Sequence, residues 1–150
     1  MKIEKKLEEM GLELPEIPKP MANYVPAVRT GNLLFLSGHG PMKGTPPGKV
    51  GKDLTLEVGY EAAKGTALCL ISTIKNTIGD LDKVKRIVKL VGFVNCSGDF
   101  TDQPKVINGA SDLFVEVFGD RGKHARAAVG MYQLPGNIPV EIEIVVEVED

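Results

Sequence analysis

Tryptophan is absent, and aromatic residues make up only 5% of the 150 positions. Without flat side chains in number, successive bases have no platform to stack on, which argues against a single-stranded nucleic-acid binder. An excess of positive charge is missing too. Eighteen Lys and Arg stand against 20 Asp and Glu, a net charge of -2, so no broad basic field exists to hold a phosphate backbone. No apolar run reaches the roughly 18 residues that a membrane-spanning helix needs. The opening residues, MKIEKKLEEM, are charged and carry no apolar segment of the kind found in a secretory signal. A reducing cytoplasm is therefore the expected setting, with Cys69 and Cys96 as free thiols. Cys69 falls among Ala, Leu and Ile in a helical pattern and reads as an inert buried thiol, and Cys96 has no His or Lys near it in sequence. Histidine is equally scarce. His39 and His124 lie far apart with no ligand spacing, so no metal site is expected.

What is present is the material of one ordinary domain. Hydrophobic residues form 43% of the chain and charged residues 25%, enough for a real core. Residues 2–10 read as a short charged helix closed by Gly11. The segment 12–21, with Pro15, Pro18 and Pro20, reads as an extended arm over the surface, so residues 1–21 divide from a main domain over 22–150. Tyr24 to Arg29 and Leu33 to Leu36 read as two strands of a hairpin across Gly31-Asn32. Ser37-Gly38-His39-Gly40-Pro41 breaks the second strand, and its glycines let a backbone approach closely. Thr55 is a candidate N-cap for a long helix with Ala63, Ala67, Leu70, Ile71, Ile74 and Ile78 on one face, ended by Gly79. Gly65 inside that helix implies close packing. Lys85 to Asn95 reads as a buried strand, and Gln103-Pro104 opens a second helix ended by Gly119.

The last quarter carries the chemistry. His124 to Glu143 reads HARAAVGMYQLPGNIPVEIE, two period-2 segments around a Leu134-Pro135-Gly136-Asn137 turn. Paired as antiparallel strands, they would bring Arg126 and Glu141 near one another in the assembled protein. Arg126, Ala128 and Gly130 share one strand face; Glu141, Glu143 and Glu147 share the face opposite the Val and Ile stripe. The order β-β-α-β-α-β-β implies a two-layer α+β domain with both helices on one side of the sheet. The other side then needs cover, which an oligomer supplies economically. Arg126 is a fork for a carboxylate or, equally well from spacing alone, one half of a structural salt bridge across a subunit interface. Glu141 is a candidate general base or a solvated strand carboxylate, the second being the expected fate of Glu143 and Glu147.

The segments NYVPAVRTGNLLFLSGHGP, NGASDLFVEVFG and ARAAV…LP…VEIE together resemble the RidA/YjgF family of imine deaminases, across roughly residues 22 to 148. The resemblance implies a chorismate-mutase-like fold with a mixed sheet and a homotrimer with clefts between neighbouring chains. It implies hydrolysis of reactive 2-imino acids or enamines to 2-oxo acids and ammonia, with no metal or cofactor. By position, it assigns Arg126 to the substrate carboxylate and Glu141 to the attacking water. Tyr24 is assigned to the imine nitrogen or a bound water, and Ser37, Gly38 and Asn108 to binding. His39 stands where the family commonly has Gln, and Ala127 and Ala128 where it often has small polar residues. His39 lies at the same strand break as Ser37, and Ala128 would serve through its backbone N–H. The rival reading is a non-catalytic binder of small carboxylates or 2-oxo acids in the same clefts. Ribonuclease activity fits the acidic charge and scarce aromatics poorly.

Overall fold

The computed structural model describes residues 1–17 and 22–150. Pro18, Pro20 and Met21, with the 21/22 division, lie outside the described residues. The chain builds α1 (Lys2–Glu9), β1 (Ala27–Thr30), β2 (Leu33–Leu36), α2 (Leu56–Ile78), β3 (Val84–Asn95), α3 (Gln103–Phe118), β4 (Ala125–Met131) and β5 (Val140–Val148). Local chemistry accounts for the ends. The Thr55 hydroxyl accepts from Val58 N–H at 3.2 Å to cap α2. Gly79 follows α2 at φ 82°, where a side chain would be strained. Pro104 sits in the first turn of α3, where its missing N–H costs nothing. Arg29 remains in strand β1, but the strand begins only at Ala27, after Pro26, which has no N–H to donate.

The five strands form one mixed sheet in the order β1-β2-β5-β3-β4. β5 lies in the middle, antiparallel to β2 and to β3, while β4 pairs parallel to β3 and forms an edge. The expected antiparallel pairing of β4 with β5 is therefore not made. The side chains give the reason. β5 sends Val140, Ile142, Ile144, Val146 and Val148 into the core, all buried, and a central strand buries such a stripe best. On the same side β4 offers only Arg126, Ala128 and Gly130, which cannot fill a core and suit an edge.

α2 and α3 cover that side of the sheet, and Leu70, Ile71, Ile74, Ile107, Leu113 and Phe114 close the core beneath them. The two helices approach very closely at Gly109, where an added Cβ would stand 2.0 Å from the Tyr60 carbonyl oxygen. Gly65, marked in the sequence as a packing position, does pack closely: an added Cβ would stand 3.2 Å from the Met42 side chain, tighter than an ordinary contact. α1 seats Ile3 and Leu7 in the same core. The Asp82 carboxylate accepts from the N–H groups of Lys2 and Ile3, both at 2.8 Å, and those two bonds hold its pKa below the usual carboxylate value. Leu12 and Leu14 of the following segment also pack against the core, and Ser72 Oγ donates to the Pro15 carbonyl.

Among the described residues, no layer covers the other face of the sheet. Val28, Phe35 and Val129 stand 55%, 45% and 41% exposed there, beside Glu141 and Glu143. An apolar strip of this kind on a sheet marks a surface that meets something.

Gly109→Ala should lower stability by about 2–3 kcal/mol, because the helix backbones must part to admit one methyl group. Urea unfolding would show this as a lower midpoint at an unchanged slope.

Candidate functional site

Arg126 leaves β4 on the helix side and reaches across the edge of the sheet to α3. Its Nη1 donates to Asn108 Oδ1 at 2.7 Å and to Ser111 Oγ at 3.2 Å. No carboxylate lies within salt-bridge distance of it among the described residues. An ion pair for Arg126 therefore finds no partner among the described residues of its own chain, which leaves a carboxylate of a neighbouring subunit or of a ligand as its counter-charge. The guanidinium is exposed and held by neutral oxygens, so its charge remains available to an anion. Asn108 and Arg126, which the sequence placed separately, are brought together in this way.

Behind them lies His124, which the sequence offered only as a metal ligand to be dismissed. Its Nδ1 is 2.6 Å from the Gly122 carbonyl, and its Nε2 is 2.9 Å from Ser111 Oγ. The ring packs edge-on to Phe114, 6.1 Å between centroids. Burial is the main reason its pKa falls below 6.5, and the Arg126 charge adds to this. Two signals could have pointed here. Ser111 is one helical turn beyond Asn108, and His124 precedes Arg126 by two residues, which puts both on one strand face.

Ala128, the next residue on that face, packs partly against the core. Met131 O accepts from Cys96 N of the β3 end, at 3.4 Å. By strand alternation, the N–H and C=O groups of Arg126, Ala128 and Gly130 then point to the open edge. Ala128 thus presents a backbone N–H beside the guanidinium side of the strand. Gly130 borders a hollow of about 600 Å³ whose lining includes Lys49, Cys96, Gln103 and Tyr132.

Glu141 occupies a different place. It leaves β5 on the uncovered face, two strands from Arg126 and on the opposite side of the sheet. Within one chain the two cannot touch one ligand. Glu141 is half-buried, and burial, with some help from Glu143, raises its pKa above 4.5. Gly38 lies against it. A Cβ there would be 2.9 Å from Glu141 Oε2, so glycine gives the carboxylate its space. Ser37 is adjacent, its hydroxyl donating to Val25 O at 2.7 Å. Tyr24, just upstream, is 53% exposed. The predicted residues therefore form two groups: Arg126, Asn108 and Ala128 at the β4 edge, and Glu141, Gly38, Ser37 and Tyr24 around the strand break.

His39 belongs with neither. Its backbone pairs with Ile142, which resumes the sheet after the break, and its ring turns inward beneath α2. Nδ1 lies 2.6 Å from Ser37 O and Nε2 2.7 Å from Thr73 Oγ1. A carbonyl cannot donate, so Nδ1 carries the proton and Nε2 accepts from the Thr73 hydroxyl. Burial lowers its pKa below 6.5. The ring ties a strand to a helix and leaves no nitrogen for a ligand.

Comparison with known proteins places these groups in context. A family model described as YjgF/chorismate mutase-like, with an endoribonuclease assignment in its description, matches residues 4–147. The chain is 45% identical to "Protein TCP17" of Trypanosoma cruzi over 96% of its own length and 92% of that protein. It is 28% identical to a "2-iminobutanoate/2-iminopropanoate deaminase" of Dermatophagoides farinae, over 92% of this chain and 95% of the relative. A crystal structure of a protein of unknown function from Agrobacterium tumefaciens superposes with a TM-score of 0.91 at 44% identity, covering 98% of this chain and 92% of that one.

The two histidines make stability depend on pH in a definite sense. Their folded pKa values lie below 6.5, so on acidification the unfolded chain takes up protons first. Their contribution is complete above 6.5 and is lost as pH falls from there toward the folded values. Glu141 acts oppositely: with its folded pKa raised, its contribution is complete below 4.5 and is lost as pH rises from there through the folded value. His39→Gln, which cannot titrate, should show a smaller loss of unfolding free energy between about pH 7 and pH 5.5 than the parent chain. Urea titrations at the two pH values decide it, and an unchanged difference would remove His39 as the source.

Proposed function

Since the chain belongs to the YjgF/RidA family, we propose that it hydrolyses small 2-imino acids, or the enamines in equilibrium with them, to 2-oxo acids and ammonia. The observation that carries this reading is the Arg126 guanidinium, exposed, free of any carboxylate among the described residues and braced by Asn108. A guanidinium held in this way recognises a planar carboxylate by two parallel N–H bonds. The reaction needs little beyond it. Water adds to the C=N carbon while Glu141 takes its proton and passes it to the nitrogen. The resulting carbinol hydroxyl then gives up its proton as C=O forms, that proton goes to the amine, and the C–N bond breaks to release ammonia, without any redox change. A carboxylate with a pKa raised by burial is a better base near neutral pH than a solvated one. Tyr24, Ser37 and the backbone at Gly38 and Ala128 orient the imine.

Arg126 and Glu141 stand on opposite faces of one sheet, so a complete site takes its cation from one copy and its base from another. We take the assembly to be a homotrimer, with the uncovered face of Val28, Phe35 and Val129 turned toward neighbouring copies and three clefts at the seams. The cytoplasm, where pyridoxal-phosphate enzymes release such imines, is the proposed setting, and the chemistry calls for no cofactor. A ribonuclease reading has less support, because both imidazoles of the chain are tied to Thr73 or Ser111 and to a backbone carbonyl.

Iminopropanoate generated in place by an amino-acid oxidase supplies the test. The chain should speed release of pyruvate and ammonia, and Arg126→Ala should lower kcat/KM at least about 100-fold, the scale of losing a bidentate charge-assisted contact. Glu141→Gln should lower kcat and remove the acid limb of the rate profile, which lies above 4.5 because the unmodified carboxyl is raised. Tight binding of pyruvate without turnover would instead support a sequestering protein on the same clefts. A full rate in Arg126→Ala would refute the anchor.

A further inference from the structure

We propose that Ser111 and His124 are positioning residues that turn the Arg126 guanidinium so that one edge, Nε with Nη2, is presented to a carboxylate. The proposal deepens the reading above and rests on its assignment of Arg126 to the substrate acid.

His124 Nδ1 faces the Gly122 carbonyl, which can only accept, so that nitrogen bears the hydrogen. In the neutral ring Nε2 is then an acceptor, and the Ser111 hydroxyl must donate to it. With its own hydrogen committed, Ser111 Oγ meets Arg126 Nη1 through its lone pairs. The direction of every bond is fixed from a backbone carbonyl outward to the cation.

A guanidinium has five N–H hydrogens, two of them on Nη1. One is taken by Asn108 Oδ1 and the other by Ser111 Oγ. Nη1 is thereby saturated, and the remaining three hydrogens lie along Nη2 and Nε. That edge matches the two oxygens of a carboxylate. Asn108 alone would leave the plane free to rotate about one bond; the second contact sets its tilt. Ser111 in turn cannot choose a different rotor position without leaving His124 Nε2 unpaired in a half-buried place, which is costly. Phe114 packs against the ring and fixes its plane. No carboxylate takes part, so the cation is oriented without being neutralised.

The test pairs Ser111→Ala and His124→Leu with two conservative variants. Ser111→Thr keeps the hydroxyl, and His124→Gln keeps an acceptor near the Nε2 position. Affinity for pyruvate is measured by calorimetry, KM and kcat by ammonia release, and order of the Arg126 side chain by ¹⁵N relaxation at Nε. The expected result is at least a tenfold weaker affinity and a raised KM in Ser111→Ala and His124→Leu, with kcat changed little, because the carboxylate is gripped equally in ground and transition states. Both conservative variants should stay within about threefold of the parent. The Nε order parameter should drop in Ser111→Ala and hold in Ser111→Thr. If Arg126→Ala abolishes binding while Ser111→Ala and His124→Leu leave it intact, the relay is overturned and the carboxylate anchor stands. If the parent chain neither binds pyruvate nor releases ammonia, the substrate reading fails, and the Nε measurement alone decides the relay. An equally ordered side chain in Ser111→Ala would then dismiss it.

Discussion

The pleat of β5 constrains everything around it. Successive side chains of a strand point to opposite faces, so a stripe of five buried Val and Ile residues commits Glu141, Glu143 and Glu147 to the other side. Burying that stripe under α2 and α3 puts β5 in the sheet's interior, between β2 and β3. β4, with only Arg126, Ala128 and Gly130 on the helix side, is left to the edge. The separation of Arg126 from Glu141 is thus a by-product of core packing and not an arrangement made locally at either residue. A slip of one residue in β5 would carry its glutamates into the core, so the register is strongly held.

Most elements were legible because their signals are local. The Thr55 cap, the Gly79 stop, Pro104 in a first turn and the period of two in the last strands each depend on neighbours along the chain. The face assignments of Arg126, Ala128 and Gly130, and of the three glutamates, follow from the same alternation. The partner of β4 was illegible for a related reason. Period 2 tells which face a residue takes but not which strand lies beside it, and Leu134-Pro135-Gly136-Asn137 reads as a hairpin turn. The connection instead lets β5 pass over to the far side of β3, with a short 3₁₀ turn at Pro135–Asn137. Only the comparative apolar content of the two strands, Val and Ile against Arg, Ala and Gly, carried the answer.

The site was legible in part. Arg126 and Asn108 were each marked, but no rule of spacing links a helix residue to a strand residue eighteen positions later, so their contact had to be seen. His39 and His124 were weighed for metals and clefts because histidine is the usual agent of such chemistry. Both prove to have the same internal arrangement: Nδ1–H to a carbonyl two residues earlier and Nε2 toward a hydroxyl on a helix. One hydroxyl, Thr73, ends in the interior. The other, Ser111, goes on to a surface cation. The same local motif therefore ties a strand to a helix at one end of the fold and braces an exposed guanidinium at the other.

That shared motif has a consequence for how the molecule meets changing acidity. With each Nε2 engaged as an acceptor and each ring largely buried, both imidazoles take up a proton less readily in the folded chain than in the unfolded one. Acid strong enough to protonate Nε2 turns it from an acceptor into a donor, which works against the strand-to-helix tie at Thr73 and the guanidinium brace at Ser111 alike.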